Sequence, residues 1–183
     1  MKSRGTWVFL AGALAALGAG WAGFPYAIYE RRPQPVNFSH KAHTEAGGMK
    51  CEDCHELRAD GSFAGIPRLE KCAGCHTAAM GTTAAEKNFI DGYVTPRREV
   101  AWAVYARQPE SVYFPHGVHV KRAGLACAAC HGDHGRSDSL RPYQQDRISG
   151  YSRDIWSGMT MNDCVDCHSR HGIDQQACLD CHK

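Results

Sequence analysis

The segment Cys51-Glu52-Asp53-Cys54-His55 carries the pattern Cys-x-x-Cys-His, which occurs five times in this 183-residue chain and accounts for all ten cysteines. Two thiols at this spacing can form thioethers to one porphyrin, and the imidazole of the next residue can bind its iron. Each copy is therefore interpreted as an attachment site for one c-type haem. We number the sites 1 to 5 in chain order, and their residues are Cys51, Cys54 and His55; Cys72, Cys75 and His76; Cys127, Cys130 and His131; Cys164, Cys167 and His168; and Cys178, Cys181 and His182.

Two other interpretations of the cysteine pairs compete with haem. Zinc binds four ligands, so Cys-x-x-Cys pairs form zinc sites two at a time, and five pairs leave one over. Disulfides would account for the even number of cysteines, because an exported chain can be cross-linked by them. Neither interpretation explains a histidine directly after every pair, since histidine makes up only 11 of the 183 residues. The pattern favours haem.

The N-terminal segment predicts the compartment. No charged residue occurs from Gly5 to Tyr29, and a helix of about 25 residues, at about 1.5 Å each, exceeds the roughly 30 Å hydrocarbon thickness of a bilayer. Aromatic residues near its two ends favour a retained anchor over residues 1–32, whereas small residues around Ala19 are also typical of a cleaved signal peptide. With Lys2 and Arg4 on the cytoplasmic side of the inner membrane, the haem domain would lie in the periplasm.

The charge balance gives no support to a nucleic-acid partner. The chain has 21 Lys and Arg against 19 Asp and Glu, and two of the basic residues precede the hydrophobic segment, which leaves 19 of each sign beyond it. A neutral exported part offers no excess of cations to a phosphate backbone. Its arginines are either solvated or available to pair bidentately with haem propionates, and the candidates are Arg136, Arg141, Arg147 and Arg153.

An internal repeat divides the exported part into two modules. The segment Asn37–His43 and the cysteines of site 1 recur 76 positions later as Tyr113–His119 and site 3. A further attachment motif follows in each copy. We therefore predict a first haem module over 33–80, a connector over 81–111, and a second haem module over 112–183 that contains an insertion over 135–162.

Both copies of the repeat contain Phe-x-His-x-x-His ahead of their first attachment motif, at residues 38–43 and 114–119. This arrangement resembles the class III multihaem cytochromes c. The resemblance implies a mostly irregular fold, with short α-helices wrapped around stacked c-type haems. The hydrophobic segment adds one N-terminal transmembrane helix to that expected fold.

The same resemblance implies the distal iron ligands, because in that family the two histidines of the motif bind two different haems. His40 and His116 would each bind the haem attached next in their own module, and His43 and His119 would bind neighbouring haems. Two further candidates lie three residues beyond a proximal histidine, and they are His134 and His171.

The number of histidines predicts the chemistry. If histidine occupies both faces of every iron, no open position is left for a substrate, so the haems would carry electrons and the chain would have no catalytic site of its own. Without the methionine ligand that raises reduction potential, the haems would have low potentials. A methionine in place of one histidine is the open alternative.

Taken together, one anchor, two modules and five attachment sites resemble the multihaem cytochrome c subunits of membrane quinone oxidoreductases. The most similar family is that of menaquinone reductase complexes, which is related to the multihaem subunit of alternative complex III. The resemblance implies a respiratory complex in which a soluble periplasmic cytochrome c donates electrons to this subunit. They would pass to an iron-sulfur subunit and a molybdopterin-family subunit, alongside an integral membrane quinone-binding subunit. In alternative complex III, electrons flow outward from quinol.

The number of attachment motifs departs from the reductase family, whose subunit carries six haems. This chain is expected to hold five, or to hold a sixth without thioethers on a spare histidine. Two other classes of function stay open. One is a stand-alone quinol dehydrogenase with a single anchor, a family that has four motifs beginning close to the anchor. The other is a module in which haem is structural or binds a gas.

Two segments between the sites carry predictions of their own. The sequence from Glu99 to Arg107 predicts a short helix that ends before Pro109. The insertion over 135–162 is predicted either to dock a partner subunit or to pack over a haem face, because it is long, polar and contains the aromatic residues Tyr143, Tyr151 and Trp156.

Overall fold

The computed structural model describes residues 3–63, 65–105, 110–150, 159–173 and 178–182. Its longest element is helix α1, Ser3–Ile28, which has 26 residues. The stretch Arg4–Ile28 is long and apolar enough to cross a membrane, and its apolar window packs against no other part of the described chain. The prediction of an N-terminal helix of spanning length is confirmed. A signal sequence would meet the same criteria, so retention of the helix stays a prediction.

A two-stranded sheet ties this helix to the second half of the chain. Strand β1, Tyr29–Arg32, begins where α1 ends and pairs antiparallel with strand β2, Tyr143–Asp146. The backbone N–H of Arg147 also donates to the carbonyl of Ile28, at 2.7 Å. Strand β2 belongs to the insertion, so the insertion docks on the segment next to the anchor, a contact that neither expectation for it named.

Short helices joined by irregular segments make up most of the remaining described residues. The α-helices are α2 (Cys51–Cys54), α3 (Leu69–Ala73), α4 (Ala84–Phe89), α5 (Cys127–His131), α6 (Met161–Arg170) and α7 (Cys178–Cys181). There are π-helical turns at Ala42–Ala46, Ile90–Val94 and Gly117–Arg122, and a 3₁₀ turn at His134–Arg136. Every attachment motif begins on one of the α-helices, where residues three apart lie on the same side. The predicted architecture of short helices and irregular segments is confirmed.

The described residues bury very little apolar surface of their own. Only Leu69, at 7% exposure, and Tyr143, at 6%, are buried hydrophobic residues in this part of the chain. A domain of this size normally buries well over half of the surface of its unfolded chain. The small protein core therefore fits a fold organised around cofactors.

The two copies of the repeat adopt the same backbone. In the first, the N–H of Gly47 donates to the carbonyl of Ala42 (3.0 Å), and in the second the N–H of Ala123 donates to that of Val118 (2.9 Å). A glycine with positive φ follows each π-helical turn, Gly48 at +65° and Gly124 at +68°. The left-handed conformation explains why glycine recurs at this position of the repeat.

The helix predicted over Glu99 to Arg107 is wrong for the residues that are described, since 99–105 are irregular; Ala106 to Pro109 lie outside them. The side chain of Gln34 makes two hydrogen bonds with the backbone of Ala103. Its Nε2 donates to the carbonyl at 2.8 Å, and its Oε1 accepts from the N–H at 3.0 Å. These tertiary bonds satisfy the backbone groups that a helix would have paired internally.

Candidate haem-binding site

Four proximal histidines each face one histidine of a Phe-x-His-x-x-His motif. The centroids of the paired imidazole rings are 6.0 to 6.4 Å apart. Two pairs join residues of the same motif unit, and two reach the next attachment site along the chain. The pairs are His40 with His55 at site 1, His43 with His76 at site 2, His116 with His131 at site 3, and His119 with His168 at site 4.

The spacing within these pairs fits a metal between the rings. Metal–imidazole bonds are about 2.0–2.1 Å long, so two rings on opposite sides of one metal have nitrogens about 4 Å apart and centroids about 6 Å apart. The spacing of the four pairs therefore permits an iron between the rings. A similar spacing occurs between His55 and Phe63, at 6.2 Å, so it is the presence of two facing imidazoles that makes these four pairs ligand candidates.

The phenylalanine of each motif holds both of its histidines. Phe38 meets His40 edge-on, with centroids 4.8 Å apart and planes at 86°, and it stacks on His43 with planes at 20°. Phe114 repeats this geometry with His116, at 4.8 Å and 90°, and with His119, at 4.5 Å and 24°. One ring thus orients two imidazoles that face two different attachment sites.

Hydrogen bonds leave Nε2 of the distal histidines available to a metal. Nδ1 of His43 bonds the carbonyl of Ser39 at 2.7 Å, and Nδ1 of His119 bonds the carbonyl of Pro115 at 3.0 Å. A carbonyl only accepts, so Nδ1 carries the proton and Nε2 keeps its lone pair in both residues.

The same tautomer follows for His40. Its Nδ1 lies 3.2 Å from the hydroxyl of Ser137, and that hydroxyl donates to the carbonyl of His134 at 2.8 Å. The hydroxyl has only one proton to give, so it accepts from His40. Ser137 lies at the start of the insertion, which means that the second module orients a ligand candidate of the first.

Burial keeps several of these imidazoles neutral, which is the form that binds metals. Burial first, and then the neighbouring imidazoles of His55, His134 and His43, together lower the pKa of His40 to about 4. Burial is also the main reason that the pKa is lowered at other paired or neighbouring histidines, which are His55, His116, His131 and His134.

The cysteines do not form the arrangements that the competing interpretations require. All ten lie in the described part of the chain, and all ten are free thiols. In the same part of the chain, no three or more His, Cys, Asp or Glu side chains converge on a metal-ion site. Five thiols have a pKa that burial raises above the ordinary value, and these are Cys54, Cys72, Cys127, Cys130 and Cys164.

Electrostatic contacts between the thiols give the order of the sites in space. At one end, Cys54 of site 1 interacts with Cys72 and Cys75 of site 2. Cys51 of site 1 interacts with Cys127 of site 3, whose pKa is raised first by burial and then by this neighbour. Site 3 in turn contacts site 4, and site 4 contacts site 5, through pairs of Cys130 with Cys167 and Cys164 with Cys181. These contacts link the sites in the order 2, 1, 3, 4, 5, which we call the row of sites.

Phe63 occupies the junction of the two modules in the middle of this row. It stacks on His55 of site 1, with centroids 6.2 Å apart, and on His116 of site 3, at 4.9 Å. The backbones meet beside it, because a Cβ on Gly117 would lie only 3.0 Å from the Cα of Gly61. Lys121 adds a hydrogen bond from Nζ to the carbonyl of Arg58, at 2.7 Å. Phe63 lies outside the repeated motifs, and no signal in the sequence singled it out.

The remaining predicted ligands do not belong to the four facing pairs. His134 lies edge-on to His40, with centroids 6.3 Å apart. His171 is exposed and caps the C-terminus of α6. His182 lies beside Val112, where the N–H of Tyr113 donates to the carbonyl of Cys181 at 2.8 Å. Among the described ring pairs, none contains His171 or His182, so the distal ligand of site 5 stays a prediction.

The arginines proposed to pair with propionates have varied surroundings. Arg136 pairs with Asp133 at 3.5 Å on the surface. Arg141 lies close enough to His134 to lower its pKa, after burial and His131. Arg147 is held by its backbone next to the end of α1. Arg153, Tyr151 and Trp156 of the insertion, as well as Lys2 before the anchor, lie outside the described residues.

Replacing Phe63 with alanine is expected to lower the free energy of unfolding by about 1–2 kcal/mol, because a fully buried phenylalanine contributes about 3–5 kcal/mol and Phe63 is 38% exposed. It should also alter the electron paramagnetic resonance signals of two haems together, since both neighbouring imidazoles lose their support. The matched control is Ile66→Ala, because Ile66 is 39% exposed and makes no described ring contact. Equal effects of the two substitutions would contradict the assigned role of Phe63.

Comparison with known proteins is consistent with this geometry. Residues 25–99 match the model of the class III cytochrome c family, and residues 112–183 match that of cytochrome c7 and related cytochromes c. The menaquinone reductase multihaem cytochrome c subunit of Nitratidesulfovibrio vulgaris is 37% identical over 189 aligned positions, which cover 96% of this chain and 89% of the relative. The resemblances found in the sequence are confirmed, and covalently bound haem c follows from the two family matches.

Proposed function

This chain belongs to the multihaem cytochromes c of the class III and c7 type, and from that premise we propose that it is the electron-transfer subunit of a membrane-bound quinone oxidoreductase. The observation that carries the proposal is the set of four facing imidazole pairs, each with room for one iron. The relative from Nitratidesulfovibrio vulgaris supports menaquinone reduction as the activity of the complex.

The proposed cofactors are five c-type haems, one on each attachment motif. The ten cysteines would hold them by thioethers, and the five histidines of the motifs would be their proximal ligands. The facing histidines would be the distal ligands at sites 1 to 4, with His40, His43, His116 and His119 in those roles. His134 or His171 is the candidate for site 5, and the one left over is the candidate ligand of a sixth haem without thioethers.

Axial histidines on both faces support electron transfer in preference to catalysis. When bound, the haems would supply one-electron redox chemistry, and the facing histidines at sites 1 to 4 would leave those irons no open position. The residues of the chain hold the imidazoles in their tautomers, space the attachment motifs, and bring the two modules into contact at Phe63. The row of sites 2, 1, 3, 4 and 5 gives a continuous series of neighbouring motifs along which electrons could pass.

The proposed location is the inner membrane, with α1 as a retained single anchor and the haem domain in the periplasm. The sheet supports retention, because β1 joins the last turn of α1 directly to β2 of the haem domain. Loss of the helix would leave β1 at a free chain end. Covalent attachment of haem c is a periplasmic process, which supports the same orientation.

The relative is named as a subunit of menaquinone reductase, which supports partner subunits for this chain, and the partners proposed are those that the family resemblance implies. They are an integral membrane quinone-binding subunit, an iron-sulfur subunit and a molybdopterin-family subunit, together with a soluble periplasmic cytochrome c as electron donor. The insertion near the membrane and site 2 at the far end of the row are the two surfaces that we assign to different partners.

Intact mass of the protein purified from membranes in detergent tests the proposal. We expect the mass of the chain with α1 retained plus five haems, and we expect partner subunits to co-purify. Fewer than five haems would contradict the assignment of the motifs. A lone polypeptide that reduces its haems with a quinol analogue would contradict the subunit role in favour of a stand-alone dehydrogenase.

A further inference from the structure

One proximal histidine has a carboxylate behind it. Nδ1 of His76 lies 3.0 Å from Oε1 of Glu86, and the two side chains are only 19% and 13% exposed. Glu86 lies in the first turn of α4, in the segment that follows site 2. No motif of the sequence pointed to this residue, because it belongs to neither the repeat nor an attachment pattern.

Backbone groups hold the carboxylate in place. The N–H of Met80 donates to Oε1 at 2.8 Å, and the N–H of Gly81 donates to Oε2 at 2.8 Å. Thr83 caps α4 by accepting from the N–H of Glu86 at 3.2 Å, which is half of a capping box. The carboxylate of Glu86 does not return the bond to Thr83 but reaches the loop after site 2 and His76. Its position is thus determined by three donors.

The direction of the bond to His76 follows from chemistry. A carboxylate only accepts, so Nδ1 of His76 donates its proton and Nε2 keeps the lone pair that a metal needs. The carboxylate of Glu86 also accepts from the backbone N–H groups of Met80 and Gly81, and donors to a carboxylate favour its anionic form. A hydrogen bond from a ligating histidine to an anionic carboxylate raises the basicity of the ligand.

Sites 1 to 4 differ in the groups that form hydrogen bonds with their histidines. Of the eight paired histidines, His76 alone bonds a carboxylate within the described part of the chain. His43, His119 and His40 bond neutral carbonyl or hydroxyl oxygens, and His55 bonds the backbone of Gly65. A charged partner polarises an imidazole more strongly than a neutral one.

We propose that Glu86 is a positioning residue that makes His76 a more basic iron ligand and thereby gives site 2 the lowest reduction potential of sites 1 to 4. The proposal rests on the axial role of His76 under the proposed function. A more basic ligand stabilises ferric iron over ferrous iron, so it lowers the potential. Site 2 lies at one end of the row, next to site 1. Because a haem of lower potential gives up its electron more readily, site 2 would pass electrons to site 1.

The experiment is a spectroelectrochemical titration of the full-length haem protein and four variants. Glu86→Gln keeps the shape of the side chain and removes its charge, and Glu86→Asp keeps the charge on a shorter side chain. Glu99→Gln is the matched control. Besides burial, the carboxylate of Glu99 helps to raise the pKa of Cys72 at the same site, but it accepts its hydrogen bond from the N–H of Leu69 and not from an iron-ligand candidate. The haem whose potential changes in His43→Met identifies site 2, since His43 faces His76.

We expect Glu86→Gln to raise the potential of the site 2 haem and to leave the others at wild-type values, with five haems retained by intact mass. Glu86→Asp should stay closer to wild type, and Glu99→Gln should produce a smaller shift than Glu86→Gln. The proposal is contradicted if no potential moves in Glu86→Gln, or if Glu99→Gln moves the same haem equally. Loss of haem from Glu86→Gln would also contradict it, because the role of Glu86 would then be structural.

These outcomes are separable from those of the proposed function. The wild-type protein, by its haem count and low-spin spectrum, tests whether histidines ligate the irons at all. The variants test only the effect of the Glu86 carboxylate on one of those histidines, His76.

Discussion

Replacing His116 with methionine should raise the reduction potential of one haem by on the order of 0.1–0.2 V, since axial ligands tune haem potentials over about 0.8 V and methionine ligation raises them. His116 faces His131 at 6.3 Å with the two ring planes within 1° of parallel, so it serves as the distal-ligand candidate for this test. The change should be visible in a spectroelectrochemical titration as one component displaced from the rest.

The control for this substitution is Val118→Met, on the same π-helical turn. Val118 is exposed and belongs to no ring pair of the described residues, so a methionine there adds the same side chain without removing an imidazole. Its titration should match that of the wild type. If His116→Met leaves all potentials in place, His116 is not an iron ligand, and the assignment of His40 by the same repeat falls with it.

Replacing residues 1–28 with a cleavable signal peptide should move the haem protein from the membrane to the soluble periplasmic fraction. The helix offers 25 residues of spanning character, and insertion of such a helix is effectively irreversible, whereas a strand and its sheet offer no comparable hold. Haem-stained gels of the two fractions measure the shift. The new chain begins at Tyr29 and keeps β1, so the sheet with β2 can still form.

The comparison for the anchor experiment is the unaltered chain, which has α1 and no added signal peptide. That protein should remain in the membrane, because α1 spans it with Lys2 and Arg4 on the cytoplasmic side. If the protein purified from its natural source begins inside α1, the helix is a cleaved signal peptide. Retention of the anchorless protein in the membrane would show that partner subunits hold it without the helix.

The attachment sites could be read from the sequence because their chemistry is local. Two thioethers and one iron ligand fall within five consecutive residues, and the turn of an α-helix over such a segment sets their relative positions. The repeat could also be recognised from the sequence, since Phe38 and Phe114 orient their histidines through contacts within six residues. Short-range covalent and steric constraints are the same in any tertiary context.

Other expectations depended on what lies far away in the chain. The helix predicted from Glu99 has local helical propensity, but Gln34 pairs with the backbone of Ala103 and takes those groups out of any helix. The insertion was expected at a partner or a haem face, and the structure adds a contact that neither expectation named, the pairing of strand β2 with the segment after the anchor. Propensity yields when distant groups satisfy the backbone at lower free energy.

The sequence by itself determined the identity of the cofactor, the number of attachment motifs, the candidate ligands and the presence of an N-terminal helix long enough to span a membrane. Only the tertiary structure decided which imidazoles face each other, that site 1 adjoins site 3 across Phe63, and that Glu86 stands behind His76. The physical reason is the distance along the chain over which the interactions act. A pattern records bonds made within a turn or two, whereas reduction potentials and electron paths depend on contacts between segments that the chain brings together only when it folds.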